Sequence, residues 1–201
     1  MAIPEAAVTL YLQLHLPCDQ NLEGKPGGRT RQGVSRLGRV IAKSLEPRLE
    51  RIGPIAAILT SSLPRATETA SLYYRDAGVP IVEDERFCAI DYGAYQERPV
   101  TEIVRLQPDH VNREFPDGES FSQMASRYRS ALDDVLRTWP GRRVLLIGHN
   151  ESAAMLRHLC DAVPLGEALV ENTLRRPPAR DLVEHYASYM GPYVYDGTAR
   201  T

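Results

Sequence analysis

Along this chain, short apolar runs alternate with stretches in which apolar residues recur every three or four positions. Val8 to Leu14 is an apolar run rich in strand formers. A loop with Gly24, Pro26, Gly27, Gly28 and Gly33 follows. Beyond it, Leu37, Ile41, Leu45 and Leu49 are spaced four apart with Val40 beside them, which predicts an amphipathic helix capped by Ser35 and ended by Gly53-Pro54. Ile55 to Thr60 reads as a second strand. Pro64 sits where a helix starts, because its missing N–H costs nothing there, and that helix runs to about Asp76 with Ala66, Ala70 and Tyr73 or Tyr74 on one face. Val79 to Val82 predicts an edge strand. Ser122 to Thr138 predicts an amphipathic helix through Met124, Tyr128, Leu132, Val135 and Leu136, broken by Pro140-Gly141. Val144 to Ile147 is a fully apolar strand, and Ser152 to Cys160 begins another helix.

This strand–helix alternation predicts an α/β fold, a three-layer sandwich whose central sheet is mostly parallel, covered on both faces and joined by right-handed crossovers. Past Leu165 the pattern weakens. One more strand is expected near Asp181 to His185, then an irregular tyrosine-rich tail over about 186–201. No repeat and no linker interrupts the sequence, so residues 1–201 are expected to form one domain.

Composition agrees with one globular domain: 201 residues, 43% of them apolar, suffice for a sizeable core. The net charge of −2, without any block of like charge, gives no reason to expect a nucleic-acid partner. Basic residues are scattered apart from Lys25, Arg29, Arg31, Arg36 and Arg39. No run approaches the roughly 18 apolar residues that cross a membrane, so no membrane association is expected. Met1 to Pro17 lacks a basic start and is interrupted by Pro4 and Glu5; it reads as a lead-in and first strand, not a signal peptide. Cys18, Cys88 and Cys160 are odd in number and lack metal-ligand spacing, which suits reduced thiols in a cytoplasmic protein. Neither a metal nor a cofactor is expected.

The chemistry-bearing residues fall at one edge of the expected sheet. Open α/β sheets bind ligands outside the carboxyl ends of their strands. His15 directly follows the first strand, Arg65 follows the second just inside its helix, and His149 follows Val144 to Ile147 by one glycine. Taken singly, each has an ordinary reading: a histidine at a strand end is most often a hydrogen-bonded loop residue, and an arginine a surface one. At equivalent topological positions they predict a shared site. Such a set suits phosphoryl transfer. A neutral imidazole is a good nucleophile toward phosphorus. A second imidazole and a guanidinium hold the transferring oxygens, and an acid protonates the leaving oxygen.

Specific motifs accompany these residues. Thr9-Leu10-Tyr11-Leu12 leads into His15, with Asn21 and Gly38 after it. Ser61-Ser62-Leu63-Pro64-Arg65-Ala66-Thr67-Glu68-Thr69-Ala70 is the most specific of them. Arg86, Asp91-Tyr92-Gly93, Pro116-Asp117-Gly118-Glu119-Ser120 and Val144 to His149 follow in order. From Val8 to Leu165 the chain thus resembles the histidine phosphatase (phosphoglycerate-mutase-like) superfamily. The resemblance implies that His15 is the nucleophile and that His149, Arg65 and Asn21 belong to its pocket. It also implies that an insert over about 86–120 sets the substrate, which makes Tyr92, Tyr95, Arg98, Arg105 and His110 candidates for the pocket mouth.

The sequence departs from that pattern at several positions. Leu14 and Leu16 flank His15 where Arg and Gly are usual, Pro17-Cys18 follows, Ala89 stands where a proton-donating carboxylate is usual, and Asn150-Glu151 follows His149. Losing a general acid typically costs about 10²–10⁴ in rate. Glu151 is the candidate substitute, with an ordinary alternative as a helix N-terminal carboxylate; Asp91, Glu83 and Glu85 are others, and Arg29 or Arg31 can replace the lost cation by folding back. Cys18 and Cys88 read as small semi-buried side chains, with a Cys–His pair as the sharper alternative. The candidate set is therefore His15, His149 and Glu151 as catalytic residues, with Arg65, Asn21, Leu14, Leu16, Cys18 and Asn150 binding a small-molecule substrate. The departures point to acid–base chemistry on a small molecule in place of standard phosphate-ester hydrolysis. The alternatives are a phosphatase or phosphomutase working through phosphohistidine at His15 with Glu151 as acid, and a non-catalytic binding or regulatory protein. Tyr186, Tyr189, Tyr193 and Tyr195 suit a lid over the site, a partner contact or a homodimer interface.

Overall fold

A computed structural model describes residues 7–44, 47, 49–174, 186 and 188–198. Within them five strands pair into one sheet: β1 (Val8–Leu14), β2 (Ala57–Thr60), β3 (Ile81–Glu83), β4 (Arg143–Gly148) and β5 (Met190–Tyr195), in the spatial order β3-β2-β4-β1-β5. The first four run parallel, and β5 lies antiparallel beside β1. The helices are α1 (Asp19–Leu22), α2 (Arg36–Ser44), α3 (Pro64–Tyr74), α4 (Val100–Leu106), α5 (Phe121–Thr138), α6 (Ser152–Cys160) and α7 (Leu165–Leu174). Among the described residues no helix is long and apolar enough to cross a membrane.

The expected three layers follow from the alternation of side chains along the strands. Val144 and Leu146 of β4 point into a large core with α5, α6 and α7, while Leu145 and Ile147 point to the opposite face, against Ala66, Ala70 and Tyr74 of α3. β4 is therefore apolar at both parities, as a strand covered on both faces must be. In α5, Met124, Tyr128, Leu132 and Val135 are buried, and Ser120 and Gln123 form a reciprocal capping box at its start.

Three expectations are corrected. The helix after Ser35 is described over Arg36–Ser44 and has stopped by residue 47, with Leu49–Arg51 forming a separate 3₁₀ turn, so Gly53-Pro54 does not end it. Leu37 and Val40 are about half exposed; Ile41 and Gly38 face inward instead. Gly38 is selected because a side chain there would strike the Pro17 carbonyl at 2.8 Å, a close approach that a count of apolar residues does not register. Leu45 lies outside the described residues. The tyrosine-rich tail is not irregular throughout: Met190–Tyr195 forms the edge strand β5, with Tyr193 and Tyr195 buried. Its Pro192 is tolerated because an edge strand has one unpaired side. The strand expected near Asp181 to His185 also lies outside the described residues.

Candidate active site

Register alone brings the two histidines together. Leu14 of β1 is opposite Gly148 of β4, so the next residue of each strand leaves the sheet at the same edge. His15 N–H donates to the Gly148 carbonyl at 3.0 Å, and the two imidazole centroids lie 5.1 Å apart. The glycine before His149 is required, because a Cβ there would stand 2.6 Å from both Leu12 Cδ1 and Ser152 Oγ. β2 ends one residue before Ser61, and Pro64 starts α3 so that Arg65 lies in its first turn. His15, Arg65 and His149 are all buried.

Hydrogen bonds set the tautomers. His15 Nδ1 lies 2.6 Å from the Leu16 carbonyl, so it carries the proton, and Nε2 accepts from Arg65 Nε at 3.2 Å. Arg65 Nη2 approaches His149 Nδ1 at 3.4 Å, which leaves His149 Nε2–H to donate to Ser61 Oγ at 2.8 Å. Burial, then the Arg65 charge, pushes the His15 pKa down to about 3, and the same causes hold His149 well below its ordinary value. Both imidazoles are therefore neutral at pH 7. Burial also lowers the Arg65 pKa, but a guanidinium stays charged in proteins. Its outer nitrogens are engaged by the glycine-rich loop: Nη2 donates to Gly28 O at 2.6 Å and Nη1 to Thr30 O at 2.8 Å.

Above these groups is a cavity of about 80 Å³. That is roughly half the ~150 Å³ that accommodates a benzene ring. It holds a phosphoryl-sized group, and anything larger must extend through the mouth. Of the candidate set, His15, His149, Glu151, Arg65, Asn21, Leu14 and Asn150 all line it. Two do not. Leu16 turns away and packs with Val34 and Ile41, serving the site only through its carbonyl. Cys18 is buried beside α1, where its thiol donates to Asn21 Oδ1 at 3.1 Å. Cys88 sits 3.5 Å from Ser62 Oγ, so the hydrogen bonds of these two thiols go to Asn21 and Ser62 and not to an imidazole.

Glu151 reaches the cavity from the N-cap of α6, and Tyr92 O–H donates to its Oε1 at 2.8 Å. Of the insert residues, Tyr92 lines the cavity. Tyr95 and His110 instead pack around Phe115, Arg98 lies 3.7 Å over the Tyr95 ring, and Arg105 is exposed. Ala89 also lines the cavity, whereas Asp91 turns back to the Gly93 N–H at 2.9 Å. The Ala89 segment is held by Arg127, which donates to the carbonyls of Arg86 and Cys88 at 2.7 Å and of Ala89 at 3.1 Å. Arg127 also clasps Glu119, while Arg29 reaches Glu119 at 3.4 Å instead of filling the cavity. Burial would raise the Glu119 pKa, but its bonds to Arg127 outweigh that and hold the carboxyl below its usual range. The basic residue at the mouth is Lys25, paired with Glu97 at 3.0 Å.

Sequence reasoning missed Ser61 as the partner that fixes the His149 tautomer, although it opens the most specific motif. It also missed the carbonyls of Gly28 and Thr30, which no residue identity encodes. Tyr186, which lines the cavity from the C-terminal segment, was covered only by the general expectation of a tyrosine lid. Its carbonyl accepts from the buried Gln13 at 2.8 Å.

Comparison with known proteins matches residues 10–172 to the family described as "Histidine phosphatase superfamily (branch 1)". The "Uncharacterized phosphatase PhoE" of Bacillus subtilis (strain 168) is 26% identical over 159 residues, 79% of each chain. The "Bifunctional protein Rv2228c" of Mycobacterium tuberculosis is 27% identical over 157 residues, 75% of this chain, and this match spans only 43% of that relative. Among solved structures, that of Bacillus stearothermophilus YhfR superposes with a TM-score of 0.66 at 28% identity, covering 85% of both chains.

Proposed function

This chain belongs to branch 1 of the histidine phosphatase superfamily, and from that premise we propose that it is a phosphoryl-transfer enzyme acting on a small-molecule phosphate ester through a phosphohistidine at His15. One observation carries the reading: His15 Nδ1–H is tied to the Leu16 carbonyl, so the neutral ring presents its Nε2 lone pair beside Arg65 at the cavity. Attack by Nε2 frees Arg65 Nε to donate to a phosphoryl oxygen, while His149, whose one N–H is on Ser61, accepts from Arg65 Nη2 and helps hold the guanidinium in place. Glu151, oriented by Tyr92, is the proton donor to the leaving oxygen in the place that Ala89 leaves empty. The test is incubation with ³²P-labelled phosphate monoesters and diesters, followed by acid and base treatment. Acid-labile, base-stable label on the wild type, absent from His15→Asn, is the expected result. Label that survives His15→Asn overturns the assignment.

A second reading, acid–base chemistry on a small molecule without phosphate, is favoured by one specific feature. Both outer nitrogens of Arg65 are occupied by main-chain carbonyls, and Leu14 adds an apolar wall at the same cavity. Under it, no phosphoenzyme forms, and His15→Ala and His149→Ala each abolish turnover of a phosphate-free substrate.

A further inference from the structure

Among the described residues, the cavity is lined by two basic side chains, Arg65 and Lys25, and one acidic one, Glu151. Their arrangement limits how much negative charge the site accepts. Of the two cations, Arg65 is fully buried, and two of its nitrogens are already committed to Gly28 O and Thr30 O. Lys25 lies at the mouth, where Glu97 at 3.0 Å and Glu23 at 3.5 Å offset its charge. Glu151 is buried and adds a carboxyl group to the wall. Each histidine donates one hydrogen bond and accepts another, and carries no charge at pH 7. The remaining wall includes the apolar Leu14, Pro26, Ala89 and Val100 and the uncharged amides Asn21 and Asn150, none of which adds a cation.

A dianionic monoester would bring two charges to one half-committed guanidinium, with no second buried cation in the wall to match the surplus. Inside a low-dielectric cavity that surplus is costly. A phosphodiester carries one charge, matched by Arg65, and its second ester arm gives the apolar wall something to contact. We propose that the preferred substrate of this site is a phosphodiester, not a phosphate monoester; this rests on the phosphohistidine reading above.

The steps balance. His15 Nε2 attacks phosphorus, the P–N bond forms and the bond to one ester oxygen breaks, and that oxygen takes a proton from Glu151 to leave as an alcohol. Water then attacks phosphorus, the P–N bond breaks, and the water's proton passes to the Glu151 carboxylate. Diester and water become an alcohol and a monoester. The monoester's second ionisation, near pH 6 for such groups, gives it the extra charge the cavity does not match, which favours release.

The experiment compares kcat/KM for bis(4-nitrophenyl) phosphate and 4-nitrophenyl phosphate at pH 7.5, in the wild type, Leu14→Arg and Leu14→Gln. The expected result is a diester preference of about tenfold or more, equivalent to about 1.4 kcal/mol. Leu14→Arg supplies a cation at the cavity wall and should narrow or invert the ratio, while Leu14→Gln, polar but uncharged, should not. If Leu14→Arg fails to fold, the wild-type ratio and Leu14→Gln still decide. A wild-type preference for the monoester overturns the inference and leaves the phosphohistidine reading intact. Inversion by Leu14→Gln as well as Leu14→Arg overturns the charge argument. If neither ester is turned over and neither labels His15, the phosphohistidine reading falls and this inference with it.

Discussion

Arg65 Nε donates to His15 Nε2 across 3.2 Å, so a fully buried cation rests on the nitrogen assigned to attack phosphorus. The same guanidinium ties down the loop at Gly28 and Thr30. Replacing Arg65 by Met should therefore act on both stability and titration. The buried Gly28 carbonyl, the half-buried Thr30 carbonyl and the imidazoles lose their donor, and unpaired buried groups cost about 1–3 kcal/mol each. A loss of about 2–4 kcal/mol in urea unfolding is expected on that basis. The Arg65 charge is also one of the causes that depress the His15 pKa, so NMR titration of His15 in the variant should give a value above the wild-type one. An unchanged His15 titration would show that Arg65 does not act on that ring.

The two depressed histidines predict how stability varies with pH. Burial and Arg65 hold His15 at about 3 and His149 well below its ordinary value. An unfolded histidine titrates near 6.5. Below that pH the unfolded chain binds more protons than the folded one, so stability is full above about pH 6.5 and falls as the pH drops toward the folded values. The slope is at most about 1.4 kcal/mol per pH unit for each ring. Urea midpoints measured from pH 7 to 4.5 should decline, and His15→Gln should reduce the slope by roughly one ring's share. The rate of His15 labelling by a phosphodiester, which does not itself ionise in this range, should meanwhile show no inflection near pH 6.5, because the folded imidazole stays neutral there.

The fold and the core of the site were legible because both follow from strand endings. β1 is a mostly apolar run and β4 is fully apolar from Val144 to Ile147, and His15 and His149 fall directly after these strands, so parallel pairing left little choice about where the two rings would lie. Arg65 was legible because Pro64 marks the start of α3. What remained hidden depends on main-chain paths. The carbonyls of Gly28 and Thr30 on Arg65, the turning of Leu16 into the Val34–Ile41 cluster, and the exposure of Leu37 and Val40 in favour of the close approach at Gly38 are set by backbone geometry that side-chain periodicity does not report. Met190–Tyr195 was hidden for another reason. An edge strand holding Gly191 and Pro192 has the composition of a loop.

Glu151 and Tyr92 make a separable prediction. If Glu151 protonates the leaving group, Glu151→Gln should lower kcat on an alkyl phosphate ester by about 10²–10⁴. Tyr92→Phe removes the hydrogen bond that orients the Glu151 carboxyl group, worth about 0.5–1.5 kcal/mol for a neutral pair, and should lose up to about tenfold. Both losses should shrink on nitrophenyl esters, whose leaving group departs without a proton. Equal losses on alkyl and nitrophenyl esters would assign Glu151 to structure and not to proton transfer.

Gly27 tests whether the glycine-rich loop holds Arg65 in place. A Cβ there would stand 3.2 Å from the Cζ, Nε and Nη2 atoms of Arg65, tighter than ordinary packing. His15, Gly28 O, Thr30 O and His149 hold the guanidinium on several sides, so any shift away from the added methyl disturbs those hydrogen bonds. Overpacking of this kind costs about 1–3 kcal/mol, and the strain falls on the guanidinium that contacts the nucleophile. Gly24 provides the control. It has a φ of +73°, and a methyl added there would meet nothing within 4 Å, so Gly24→Ala carries only the backbone cost of about 1–2 kcal/mol. Both variants should lower the urea midpoint by similar amounts, but only Gly27→Ala should also lower kcat/KM, by about tenfold or more, through the displaced Arg65. Equal kcat/KM in the two variants would mean that the loop sets stability without setting the geometry of the site.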